Sequence, residues 1–368
     1  MSFSRLTKYL DLIPEVYGIP LCELSVRHNH ELVYRHSVGD LPHGENTLYK
    51  LFSMTKLFTV TAAMQLIEEG KLGLDDPVYK YIPAYKNLTV LQNGRAVPAK
   101  TVMTIRHLLS MRSGLSYNST TPCFAKACEN EFATTRELME ALAGDPLLFN
   151  PGENWFYSLS HDVLAAVMEV ICGMKFSEIL KSKIMNPLEI SDMGFFPTDE
   201  QLSRFVPMYE FDANTFSVFP TDTELCRYSK VFESGGGGLF GSNNEYMKLP
   251  DALANGGTSA NGYQILKPET INLIKGNQMP PSEVKEFYTI KPGYGYGLGV
   301  RTLVDPEEAQ TIAPIGEFGW DGAAASYWMV DTDNHIAVVW TTHVRECRPA
   351  YREIHPHIRN LVYDALKK

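Results

Sequence analysis

Residues 51–59, LFSMTKLFT, set Ser53 three places before Lys56 inside an otherwise apolar run. Downstream, Leu57, Val60, Met64 and Ile67 recur at helical spacing while Phe58, Ala62 and Leu66 fill a second face. That spacing predicts a helix from about Ser53 to a cap near Gly70, buried on most of its sides. Side chains three apart on a helix lie one turn from each other, so the Lys56 amine can reach the Ser53 hydroxyl. Burial penalises a charged lysine and favours a neutral amine able to take the serine proton. A second Ser-x-x-Lys, Ser282-Glu283-Val284-Lys285, follows Pro280-Pro281 and carries an acidic residue. It reads as a solvated helix start with Ser282 as cap, and it is the control for what chance produces.

A chain of 368 residues can bury a large core, and two lobes with a cleft between them are expected. Its 44% hydrophobic and 21% charged residues are ordinary for a folded enzyme-sized protein. The net charge of -10, with no basic cluster, argues against nucleic-acid partners. No run is apolar enough for a signal peptide or a membrane span, so the expected location is cytoplasmic, away from membranes. The six cysteines (Cys22, Cys123, Cys128, Cys172, Cys226 and Cys347) show no metal-type pairing and read as free thiols of a reducing compartment. His28-Asn29-His30 falls in a hairpin turn and His355-Pro356-His357 lacks a matching carboxylate or cysteine cluster, so no metal is expected.

Residues 20–38 alternate as an antiparallel hairpin, with Cys22, Leu24 and Val26 on one face and Leu32, Tyr34, His36 and Val38 answering them. A helix is expected from His161 to Cys172, closed by Gly173. ASYWMV (325–330) and HIAVVWTT (335–342) flank a turn at Asp331-Thr332-Asp333-Asn334, and a helix from about Ala350 to Leu366 follows. Strands at both ends with helices between them imply an α/β (α+β) protein. Residues 1–70 and 290–368 would build a discontinuous α/β domain on an antiparallel sheet, 71–289 a mainly helical insertion, and the cleft between them the active site. Gly235-Gly236-Gly237-Gly238 is too short for a linker, and TTPCFAKACENEF (120–132) fits a lid or a helical hairpin equally well.

A serine and a lysine alone do not make a hydrolase, because the leaving group needs a proton and the oxyanion needs donors. Here the chain resembles the serine β-lactamase and penicillin-recognising superfamily, most of all its class C β-lactamase and family VIII carboxylesterase branch. The likeness runs from about residue 20 to 345 through segments in family order: 52–83, TIRHLLSMRSGL (104–115), FNPGENWFYS (149–158), NPLEISDMGF (186–195), GGGGLFGS (235–242), YGYGLGV (294–300) and FGWDGAAASYWMVD (318–331). It implies a β-lactamase/transpeptidase-like fold, with Ser53 as the acylated nucleophile and Lys56 as its proton partner. The second motif falls on Tyr157-Ser158-Leu159, which keeps the tyrosine and loses the usual asparagine. Tyr157 is then the acid/base candidate, as a tyrosinate held near a lysine, against the alternative of an aromatic packed at a loop-to-helix junction.

Three stretches imitate that motif. Tyr85-Lys86-Asn87 trails Pro83 and is better explained by chance, Ser242-Asn243-Asn244 is a second imitation, and Ser116-Tyr117-Asn118 makes Ser116 the rival to Tyr157. The third motif falls on Trp320-Asp321-Gly322, and the resemblance implies an oxyanion hole made of the Ser53 and Ala323 backbone N–H groups. Lys291-Pro292-Gly293 is set aside because a proline interrupts the strand it would need.

Trp320 stands where β-lactamases carry a cationic anchor for a substrate carboxylate, which costs such substrates about 1.5–3 kcal/mol unless Arg345 or Arg348 replaces it. A neutral or aromatic group stacking on Trp320 is expected instead, and Leu159 works in the same direction. Asp321 points to solvent or meets a cationic part of the substrate. The reading is a serine hydrolase, an esterase of small acyl esters, needing no metal or organic cofactor. A D-amino-acid amidase or peptidase, an acyltransferase, a weak β-lactamase and a non-catalytic binding homologue are the alternatives.

Overall fold

The alternation at 20–38 folds as Cys22–His28 against Glu31–Val38, turning through Asn29 and His30, which both take positive φ. The computed structural model describes residues 2–41, 43–222, 228–279, 287 and 291–367. In it the hairpin completes a larger sheet, for Cys22–His28 pairs antiparallel with Ile336–Thr341, Glu23 lying opposite Thr341. Seven strands follow in the order Tyr294–Tyr296, Arg301–Leu303, Phe318–Asp321, Tyr327–Asp331, Ile336–Thr341, Cys22–His28 and Glu31–Val38. Each neighbouring pair is antiparallel, so the sheet is a C-terminal meander extended by the N-terminal hairpin.

Helices cover both faces. Successive strand residues point opposite ways: Trp340 meets His355 of the C-terminal helix His355–Leu366, whereas the Thr341 hydroxyl accepts from Asn243 of helix Asn243–Ala254. Helix Ser4–Tyr17 lies beside the C-terminal helix. A wider π-type turn, Ala350–Ile354, leads into that C-terminal helix.

The Lys56 end of the Ser-x-x-Lys segment opens the helix Thr55–Glu68, whose residues from Thr55 to Leu66 are all buried. It packs against helix Ser160–Cys172, which ends on Gly173 in the left-handed region as its sequence predicts. TTPCFAKACENEF contributes the helix Pro122–Cys128, followed by helix Thr135–Leu142. Asp145 accepts the Cys123 and Phe124 N–H groups at 2.9 Å each, satisfying donors at a helix start. The five described cysteines are free, while Cys226 and the control Ser282–Lys285 pair lie outside the described residues. No helix among the described residues is long and apolar enough to cross a membrane.

Candidate active site

Ser53 sits one step before the helix rather than on it, in the tight turn Phe52–Met54. Phe52 has φ +47°, a conformation that costs an aromatic residue of order 1–3 kcal/mol and turns the following serine toward the cleft. Lys56, in the first turn of the helix, is wholly buried. Its Nζ lies 3.1 Å from Ser53 Oγ, 3.1 Å from Tyr117 Oη and 2.6 Å from the Gly236 carbonyl oxygen. An ammonium would donate to all three oxygens. A neutral amine would donate to two and accept from the serine, so a single proton shift along the Lys56–Ser53 line separates the two states.

Tyr157 brings its ring under Lys56, with Nζ 4.5 Å from the ring centroid. Its hydroxyl accepts the Trp320 indole N–H at 3.0 Å, which leaves the phenolic proton free to point elsewhere. Burial pushes the phenol well above its ordinary value of 10, and the nearby Ser53 and Trp320 offset that only in part. The resting group is therefore the protonated phenol, not the tyrosinate its neighbourhood to a lysine suggests. His161, buried beside Lys56, is held neutral: burial first, and the Lys56 charge second, drive it down to about 3.

Trp320 takes a different place from the stacking surface expected of it. It is 5% exposed, stacks on Tyr157 at 5.5 Å and meets Tyr296 edge-on at 5.2 Å. It therefore stands behind the tyrosine. Asp321, on the opposite face and part-exposed, is not among the residues lining the pocket and pairs with Lys291 at 2.7 Å, so the lysine of the discarded Lys-Pro-Gly stretch neutralises it. Gly322 is required where it is, since a Cβ there would come within 2.7 Å of the Leu51 carbonyl oxygen. Ala323 faces the pocket, and its N–H donates to no described residue.

The pocket in front of Ser53 has a volume of about 260 Å³, with Phe52, Phe195, Phe196, Tyr228 and Phe232 giving it an aromatic wall and Leu159 apolar floor. Neither Arg345 nor Arg348 is among its lining residues, while Lys50 is, its Nζ lying 5.1 Å from the Phe52 ring centroid. The imitations resolve into structural parts. The Tyr85 hydroxyl donates to the Met139 carbonyl, the Ser242 side chain caps a helix, and the Ser116 hydroxyl accepts from Asn118 N–H in its own turn.

Two members of the site escaped the sequence reading. Tyr117, the neighbour of Ser116, is one of them. The four-glycine run supplies the Gly236 carbonyl to Lys56 and the Gly235 carbonyl to Thr59 at 2.6 Å. Its signal was present, because a Cβ on Gly236 would lie 2.6 Å from Asp162 Oδ2 and only glycine brings the backbone so close.

The family model described as Beta-lactamase matches residues 7–361. Esterase EstB of Burkholderia gladioli is 28% identical over 343 residues, covering 85% of this chain and 83% of its own. Lovastatin esterase of Penicillium rubens is 29% identical over 329 residues, covering 80% and 79%. Among solved structures, EstCE1, a hydrolase with promiscuous acyltransferase activity, superposes with a TM-score of 0.83 at 25% identity over 98% of each chain. The chain belongs to the beta-lactamase family.

Proposed function

We propose that this serine hydrolase is an esterase of small acyl esters that works through an acyl-enzyme on Ser53. The observation that carries the reading is the 3.1 Å contact between Lys56 Nζ and Ser53 Oγ at the floor of an aromatic pocket. In acylation, neutral Lys56 takes the Ser53 proton as Oγ attacks the ester carbonyl. The Ser53 and Ala323 N–H groups hold the oxyanion. The C–O bond to the alcohol then breaks, and the protonated Tyr157 gives its proton to the departing oxygen while Lys56 restores it. Water attacks the acyl-enzyme by the same route in reverse and releases the acid. The phenol need never rest as a tyrosinate, and Trp320 acts as a positioning residue by fixing which way the phenolic oxygen accepts. The aromatic wall favours apolar acyl groups, and the cation at its lining is Lys50 rather than an arginine.

An alcohol in place of water would turn the same acyl-enzyme into an acyl donor. The promiscuous acyltransferase activity of EstCE1 supports testing both fates. The experiment is hydrolysis of p-nitrophenyl esters from acetate to octanoate beside nitrocefin and a D-alanyl anilide, with Ser53→Ala as blank and added alcohol to read transfer. Ester turnover that vanishes in Ser53→Ala, with an acyl adduct on Ser53 by mass spectrometry, is the expected result. Equal inertness of both proteins toward every substrate would leave a ligand-binding homologue.

A further inference from the structure

The sheet carries a second cavity on the face away from Ser53. It lies between the strands that hold Arg301 and Asp321 and the C-terminal helix, and its volume is about 540 Å³. Two guanidinium groups meet there, Arg301 from its strand and Arg359 from the helix, 2% and 4% exposed. They share one buried carboxylate, Glu317. Arg301 takes both of its oxygens, at 2.9 and 2.8 Å. Arg359 Nε is left 3.6 Å from the nearer oxygen, and Arg359 makes no hydrogen bond to any described residue. The rings of Tyr294 and Tyr327 flank its Cζ at 5.3 and 5.6 Å, yet both of their hydroxyls are buried without a partner.

The other charges facing the cavity do not answer Arg359. Lys291 and Asp321 neutralise each other, His355 spends its Nε2 proton on the Ala325 carbonyl, and Glu308, Arg352 and Glu353 are exposed at the rim. A buried cation whose shared carboxylate stands 3.6 Å off and bonds Arg301 instead is only partly answered, at a cost to which the two unpaired hydroxyls beside it add. The guanidinium only donates and each hydroxyl can donate as well as accept, so an anion is the ligand that would answer all three together. A guanidinium fork fits an anion that presents two oxygens. We infer that this cavity binds a small oxyanion, a carboxylate or a phosphate, held by Arg359 with the Tyr294 and Tyr327 hydroxyls donating. Tyr351, which also lines the cavity, donates to the Gly322 carbonyl at 2.8 Å, so the cavity lies against the turn that carries Ala323.

The test measures thermal unfolding of the full chain in sodium phosphate and in sodium acetate against sodium chloride at matched ionic strength. It is run on wild type and on Ser53→Ala, which separates this site from any event at the serine. A saturable rise in Tm with one of the oxyanions, equal in both proteins, is expected, because a ligand of the folded state alone stabilises it. The ion with the lower half-saturating concentration identifies phosphate or carboxylate as the class. Arg359→Gln should raise that concentration at least tenfold, and Tyr294→Phe with Tyr327→Phe, which keeps both rings, several-fold. If circular dichroism shows Arg359→Gln unfolded, the phenylalanine pair decides alone. No rise beyond that in chloride, or the same half-saturation in wild type and in the folded variants, overturns the proposal.

Discussion

Tyr157 is the residue on which the chemistry turns. Replacing it by phenylalanine keeps the ring that stacks on Trp320 but removes the proton donor and the acceptor of the Trp320 indole N–H, so kcat should fall by about 10²–10⁴ with KM little changed. Tyr117→Phe takes away one of three oxygens around Lys56, and a loss nearer tenfold is expected, since a single hydrogen bond is worth about 1 kcal/mol. Steady-state kinetics on one ester separates the two. The pH dependence carries a sign as well. Burial raises the Tyr157 phenol, and the proposed step needs it protonated, so no alkaline loss of kcat/KM should set in before pH 10. A rising limb near pH 8 that disappears in Tyr157→Phe would restore the tyrosinate as the active form.

Among the elements, the glycine run offers the sharpest contrast. A Cβ on Gly235 would collide with the His161 carbonyl and approach the Ala165 methyl to 2.8 Å, both on a packed helix. Gly235→Ala should therefore cost about 1–3 kcal/mol in urea unfolding. At Gly237 the nearest atom is the Phe52 carbonyl carbon at 3.6 Å, and Gly237→Ala should leave stability unchanged within about 0.5 kcal/mol. Element types were legible wherever burial imposed a period. The hairpin at 20–38, the helix closing on Gly173 and the strands around Asp331 all lie where their spacing puts them. The Phe52–Met54 turn was not legible, because Phe52 in the left-handed region has no signature in composition. The partners of Lys56 were half legible: Ser53 is local, whereas Tyr117 and Gly236 reach it only through tertiary packing. The place of Trp320 was hidden for the same reason, since a strand residue's alternation gives its face but not its neighbour.

At the scale of the molecule, buried histidines set the response to acid. His161 and His355 are held down to about 3 and His343 to about 4, in each case chiefly by burial. Below their unfolded value near 6.5, the unfolded chain takes up protons that the native one refuses. The stability these groups contribute is therefore complete above pH 6.5 and is lost as pH falls toward 4, by up to about 4 kcal/mol per pH unit for the three together. Urea midpoints between pH 7 and 5 check this, and a flat profile would mean that the three are not buried as described. The sheet itself depends on pairing across the whole chain, since Glu23 lies opposite Thr341. During synthesis the first hairpin must leave the ribosome long before the strand that covers its edge exists, a wait on the order of tens of seconds at about 5–20 residues per second. Its open backbone groups are then exposed to other chains, which makes the first forty residues the place where a nascent copy of this enzyme is most in need of a chaperone.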